Sequence, residues 1–315
     1  MRIDVQAHYF PEEYLRCLER MGSTTTPGAR TAPGANLTLD ERIGLMDEAG
    51  IDVQVLSPAQ QLPSFAKRED AVAAARLGND LFVEVCRTYR GRFAAFGAVP
   101  LPHVDAALEE TGRCLDTLGM VGVTVGCSVA GRQLDDPAFT PFWAELDRRR
   151  AVLFLHPVGV GCPGSEAYRL TWIVGALFED TIAALRLVLS GLTGRFPNVQ
   201  IIVPHLGGTL PFLLQRLDDL AGMERARGTP FGGDEPPSRM VRRLWFDTVN
   251  SCPAALRLAG EVLGADRLLL GTDWPYLTEP KFARSVTYIQ ESGLPAKDVE
   301  AILERNAGEL LGIGP

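Results

Sequence analysis

Histidine is scarce in this chain, with four among 315 residues, so any clustering of the four carries information. No CxxC pair occurs among the cysteines at 17, 86, 114, 127, 162 and 252, which argues against a zinc ribbon or a stapled secreted scaffold. Buried, reduced thiols are expected instead. No apolar run approaches ~18 residues, so no membrane-spanning helix is expected. Positive charge is not in excess: 31 Lys plus Arg against 39 Asp plus Glu leaves −8. Without a basic field to neutralise phosphates, nucleic acid is not expected as a partner. The opening MRIDVQAHYFPEE lacks a basic stretch followed by an apolar run. A secretory signal is therefore not expected, and a cytoplasmic protein is. No GxGxxG or Walker loop follows an early strand, which removes the commonest nucleotide-binding motifs.

What the chain does have is alternation. Short β-rich runs are read at Arg2–Gln6, Asp52–Ser57, Phe93–Val99, Val121–Val125, Val152–Leu155, Gln200–Val203, Leu244–Thr248 and Leu268–Gly271. Helical periods separate them, such as Val104, Leu108, Thr111, Leu115, Leu118, and Ile182, Leu185, Leu189, Leu192. Thr38 with Glu41 forms a capping-box pattern, and Gly50, Gly119 and Gly264 stand where helices should end. Eight strand–helix alternations predict an α/β protein, a (β/α)8 barrel in one domain over residues 1–315. Two Gly/Pro-rich segments, Ser23–Asn36 and Gly228–Pro237, are read as excursions at the barrel mouth.

Three of the four histidines fall at strand ends: His8, His156 and His205. Asp273 follows the eighth strand in LLLGTDWP. In a barrel these ends converge on one face, where catalytic residues collect. A lone histidine at a strand end is more often structural, but three together with an aspartate point to a site. His and Asp side chains suit zinc or a similar divalent ion. Gln6 and His8 are two residues apart, so period-two alternation aims both at the barrel interior. His103, at a helix start, reads as an exposed cap residue, and Trp172 as mouth packing.

The segments IDVQAHYFP, VLFLHP, FPNVQIIVPHLGG–LPF and LLLGTDWPY, in that order, resemble the amidohydrolase superfamily. The similarity is to its branch of aminocarboxymuconate-semialdehyde decarboxylase-like proteins, and VLFLHP with DPAFTPFWAELDRRR is similar to fungal 6-methylsalicylate decarboxylases. The resemblance implies a metal-dependent hydrolase-type TIM barrel with a small insert at the mouth and one divalent ion, zinc most often, manganese or magnesium otherwise. It maps the ligands onto Gln6, His8, His156 and Asp273, and an acid/base onto His205. It further implies that Arg216, eleven residues after His205, reaches a substrate carboxylate across a homodimer. Trp274 and Tyr276, directly after Asp273, become candidates for substrate contact. Arg30 lies near a substrate-binding arginine of the branch.

Gln6 departs from the pattern, where His or Glu is usual. Glutamine offers only a neutral amide oxygen. Three arrangements follow: a three-ligand metal with Gln6 weak or supporting, a harder ion such as manganese or magnesium, or a metal-free barrel. The expected activity is metal-dependent, non-oxidative decarboxylation of a small aromatic or unsaturated carboxylic acid. Asp273 would carry the proton, His205 would activate water or steady a substrate oxygen, and Arg216 would hold the acid group. Hydrolysis of an amide, ester or lactone uses the same ligand set, so it stays open, as does a non-catalytic barrel.

Overall fold

The computed structural model describes residues 1–229 and 231–314. Eight parallel strands form its centre: β1 Ile3–His8, β2 Val53–Ser57, β3 Phe93–Ala98, β4 Gly122–Gly126, β5 Val152–His156, β6 Gln200–Val203, β7 Trp245–Asp247 and β8 Leu268–Leu269. Each pairs with the next in sequence order. The sheet closes on itself where Val5 N donates to Leu270 O (2.9 Å), Asp273 N to Gln6 O (2.8 Å) and His8 N to Trp274 O (2.6 Å). This is the (β/α)8 barrel, and every strand expected from the sequence is present within two residues at each end. The largest departures, of two residues, are at the C-terminal ends of β1 and β8.

Alternation sorts the strand residues. Val55, Phe96, Phe154, Ile202 and Leu269 fill the interior, with Phe96 stacked on Phe154 at 5.3 Å. Leu56, Ala95, Val123, Val125, Leu153, Leu155, Ile201 and Val203 face the helices. β1 breaks strict alternation, because its register against β2 shifts between Asp4 and Ala7. The shift is bulge-like, and bulges re-aim side chains near active sites. Ile3 and Val5 join the interior cluster, and after the shift Gln6 and His8 also point inward. Ala307 and Leu311 of the C-terminal helix close the lower end of that cluster.

The capping box is formed: Thr38 Oγ1 accepts from Glu41 N, and Glu41 Oε2 accepts from Thr38 N. Gly50 ends the helix Leu39–Ala49 at φ 69°, a left-handed conformation that costs glycine nothing. In helix Ala176–Leu189 the core face is broader than the expected stripe. Ala183, Ala184, Leu187 and Val188 are buried, Leu185, Leu189 and Leu192 pack against the same core, and only Ile182 of the expected period is turned to solvent, 50% exposed.

Ser23–Asn36 does lie at the mouth, with a helical turn at Thr26–Arg30 and Gly28 lining the main cavity there. Arg30 does not reach that cavity; it pairs with Glu12 and Glu19. The second excursion, Gly228–Pro237, is elsewhere. Pro230 is outside the described residues, but Gly232 packs against the Val188 carbonyl at the far end of helix Ala176–Leu189. That is the opposite end of the barrel from the histidines, because the segment follows a descending helix. The mouth instead carries the loop after β5, through the helical turn Thr171–Gly175. All six cysteines are free, but only Cys17, Cys114 and Cys127 are buried; Cys252 is exposed. His103 stands at the start of helix Val104–Gly112 as expected but is half-buried, with Nε2 at 2.9 Å from Phe65 O.

Candidate metal centre

His8, His156 and Asp273 each bring one ligand atom to a common point, all within 4.8 Å of one another. Each histidine has its other ring nitrogen engaged. His8 Nδ1 lies 2.7 Å from Ser57 Oγ, and His156 Nδ1 lies 2.7 Å from Pro157 O. A carbonyl can only accept, so His156 Nδ1 carries the proton and Nε2 keeps its lone pair. Holding one nitrogen in this way fixes ring orientation and tautomer, as metal-binding histidines require. Burial lowers the His8 pKa, partly opposed by Asp273. Burial, with His8 and His205 as like-charged neighbours, holds His156 well below the ordinary histidine value. Two neutral imidazoles and a carboxylate make a donor set that fits a divalent ion.

Gln6 is at the centre but in a different role from the histidines. Its Nε2 donates to Asp273 Oδ1 at 3.1 Å and faces His205 Nε2 at 3.2 Å. Its Oε1 is buried with no hydrogen-bond partner. An orphaned buried carbonyl costs ~1–3 kcal/mol. A cation near Oε1, or an amide turned by 180° to place oxygen beside Asp273 with a cation between, relieves that cost. The unsatisfied oxygen is thus a second observation that fits a bound ion.

His205 sits beside the ligands and is held by an unexpected partner. Its Nδ1 is 2.8 Å from Asp180 Oδ2, and Asp180 is fully buried on helix Ala176–Leu189. Cys127 Sγ donates to Asp180 Oδ1 at 3.4 Å. Asp247 Oδ1 accepts the His205 backbone N–H at 2.9 Å. Burial disfavours imidazolium at His205, but Asp180, Asp273 and Asp247 outweigh it and raise the pKa to about 9. A divalent ion at the ligand cluster pushes the other way, toward the neutral ring.

A buried network fixes the β1–β8 seam from behind. Arg42 Nη1 donates to His8 O at 2.8 Å and Nε to Gln54 Oε1 at 2.6 Å. Gln54 Nε2 donates to Asp4 Oδ2, which also accepts from Thr272 Oγ1 at 2.6 Å. Asp4 Oδ1 accepts the backbone N–H groups of Gln6 and Thr272. Burial raises the Asp4 pKa to about 6 and lowers that of Arg42 to about 9. The sequence reading missed Asp4, Arg42, Ser57, Asp180 and Asp247. Their signal was weak, since nothing in the local sequence marks these polar residues as the buried ones.

A cavity of about 540 Å³ opens onto this cluster, lined by His156, His205, Asp273, Tyr276, Trp172 and Ile173 among others. The size suits a small organic ligand. Tyr276 is there as expected, its hydroxyl bonded to the Gln60 side chain. Trp172 also lines it, beyond the packing role read from sequence. Trp274 does not. Its ring is 2% exposed, packs edge-on to Phe282 at 5.2 Å and lies 5.6 Å from the Arg42 guanidinium. Being next to Asp273 sends it to the opposite side of the chain. Arg216 is exposed on helix Leu210–Ala226 and does not line the cavity of its own chain.

A family model described as amidohydrolase matches residues 3–313. The chain belongs to that family. A 2-amino-3-carboxymuconate-6-semialdehyde decarboxylase of Dictyostelium discoideum is 31% identical over 281 residues, which is 88% of this chain and 77% of that protein. A 6-methylsalicylic acid decarboxylase of Penicillium expansum is 29% identical over 93% of this chain and 91% of that protein. Among solved structures, a dihydroxybenzoic acid decarboxylase from Polaromonas sp. JS666 superposes with a TM-score of 0.83. It is 26% identical, covers 99% of this chain and 96% of its own, and holds manganese and the inhibitor 2-nitroresorcinol.

Proposed function

We propose that this protein is a metal-dependent, non-oxidative decarboxylase of a small aromatic carboxylic acid. The observation that carries the reading is the convergence of His8, His156 and Asp273 beside His205, at a cavity of about 540 Å³ lined by Trp172, Ile173 and Tyr276. Decarboxylase relatives support it over hydrolysis of an amide, ester or lactone.

His8, His156 and Asp273 would hold the ion, with Gln6 as a weak oxygen donor or a brace for Asp273. When bound, the ion supplies charge stabilisation for the carboxylate and an adjacent oxygen. In the reaction the bond between ring carbon and carboxyl carbon breaks, CO2 leaves, and a proton takes its place on the ring. Asp273 is assigned as the carrier of that proton. His205, oriented by Asp180, steadies the substrate oxygen or a water. Trp172 and Tyr276 wall the ring and exclude bulk water, which strengthens each polar contact.

Zinc is the ion the family resemblance implies. The neutral oxygen of Gln6 and the manganese in the Polaromonas relative favour a harder ion, so manganese is the first to test. A homodimer is the proposed assembly. Val160, Tyr168, Ile173, Phe178, Ile182 and Phe212 are all exposed on the loop after β5 and on two neighbouring helices. Exposed apolar residues gathered in this way mark interaction surfaces. Phe212 and Arg216 lie one helical turn apart on the same face, so Arg216 is positioned to serve a second copy. No helix among the described residues is long and apolar enough to cross a membrane.

The test is CO2 release from a panel of hydroxybenzoates by protein loaded with manganese or zinc. Release that stops on chelation and returns with the ion is the expected result. Turnover of lactones or amides without CO2 release would replace this reading with the hydrolytic one.

A further inference from the structure

Two cations at the cavity have no part in the mechanism above. Arg169, on the loop after β5, and Lys281, first residue of helix Lys281–Gln290, line the same cavity as His156, His205 and Asp273. Both side chains are exposed at its rim. Among the described residues, neither makes an ion pair. Asp273 is the sole carboxylate among the described residues of the lining, and it belongs to the metal cluster. The rest of the nearby wall is apolar, with Trp172, Ile173 and Leu277.

The backbone at Arg169 is held in place. Tyr168 and Arg169 are consecutive non-glycine residues with φ 56° and 59°. Such backbone is disfavoured and persists where its surroundings enforce it, often at ligand-binding segments. Here the Arg169 carbonyl accepts the N–H groups of both Trp172 and Ile173 at 3.1 Å. Arg169 therefore heads the turn that carries the aromatic and aliphatic wall of the cavity.

A carboxylate bound beside His8, His156 and Asp273 leaves both rim cations, Arg169 and Lys281, without an anionic partner. We infer that the substrate carries a second carboxylate, remote from the one that is lost, and that Arg169 and Lys281 bind it at the rim. This rests on the decarboxylase reading and narrows it to aromatic dicarboxylic acids. The guanidinium can grip a carboxylate with two parallel hydrogen bonds, and the ammonium adds a point charge. Both contacts are partly solvated, so their value lies in selecting between acids.

Isothermal titration of the manganese-loaded protein with 4-hydroxyisophthalate and with salicylate tests this. The expected result is tighter binding of the dicarboxylate by about tenfold, the scale of charge-assisted contacts at a partly exposed rim. The preference should shrink in high salt, as screened rim charges require. In Arg169→Met with Lys281→Met, the ratio of the two affinities should fall toward one. Both residues are exposed, so folding is checked simply by an unchanged Tm. Equal affinity for the two acids, or a loss in the double variant that leaves their ratio intact, overturns the inference. CO2 release from each acid is scored separately. Preferential binding without CO2 release upholds the second-carboxylate site and defeats the decarboxylase reading. CO2 release without preferential binding does the reverse.

Discussion

The side-chain amide of Gln6 donates to Oδ1 of Asp273 at 3.1 Å, across the seam where the last strand closes on the first. Gln6 thus braces Asp273, a candidate ligand, from the position where the family resemblance implies a strong ligand. Gln6→His adds an imidazole at an inward-facing site and should tighten metal binding by tenfold or more, the scale found for changes around metal ligands. Gln6→Ala should weaken binding less than His8→Ala does. Competition with a chelating dye measures both. If Gln6→Ala loses as much affinity as His8→Ala, Gln6 is a full ligand.

His205 should matter to turnover more than to metal. His205→Ala is expected to lower kcat about 10²-fold or more, the usual contribution of a positioned acid/base, while metal content stays near that of the parent. Asp180→Asn should also lower kcat, because it removes the carboxylate that orients Nδ1 at 2.8 Å. Its kcat–pH profile should shift to lower pH, since Asp180 is the leading contributor that raises the His205 pKa. An unchanged profile would mean that His205 does not govern the rate.

Trp172 and Trp274 are expected to part company. Trp274 is core, so Trp274→Ala should cost about 3–5 kcal/mol of stability in a denaturant titration. Trp172 is 37% exposed and lines the cavity. Trp172→Ala should leave stability within about 1 kcal/mol and raise KM instead. A stable Trp274→Ala protein with raised KM would restore Trp274 as a substrate contact.

Asp247 gives the metal-free protein a pH-dependent stability. Burial is the leading cause that raises its pKa from 3.8 to about 7. The folded chain therefore holds this proton more tightly than the unfolded chain. The stability it contributes is complete below about pH 4 and is lost as pH rises through 7, by up to roughly 4 kcal/mol. Asp247→Asn keeps an oxygen for the N–H groups of His205 and Val249 while removing the charge. The variant should be at least as stable as the parent at pH 8 and lack this decline. Tm measured from pH 4 to 8 in chelator decides it; parallel curves would exclude Asp247 as the titrating group.

Eight strands, their order and the positions of His8, His156, His205 and Asp273 were legible in the sequence. Strand periodicity and rare residue types are local signals, and barrel closure forces the strand ends together whatever the loops do. The partners of those residues were not legible. Asp180 reaches His205 from a helix 25 positions earlier, and Arg42 reaches the His8 carbonyl across 34. Nothing in the local pattern marks either residue, because their contacts exist only once helices are docked on the barrel. The same holds for Trp274, whose neighbour Asp273 faces the cavity while its own ring turns into the core. It holds for Gly228–Pro237 as well: its composition announces a loop, but the direction of the preceding helix decides which end of the barrel it occupies. Side-chain chemistry along the chain set what the site is made of. Only the packing of distant segments, with the register shift in β1, decided which atoms face each other there.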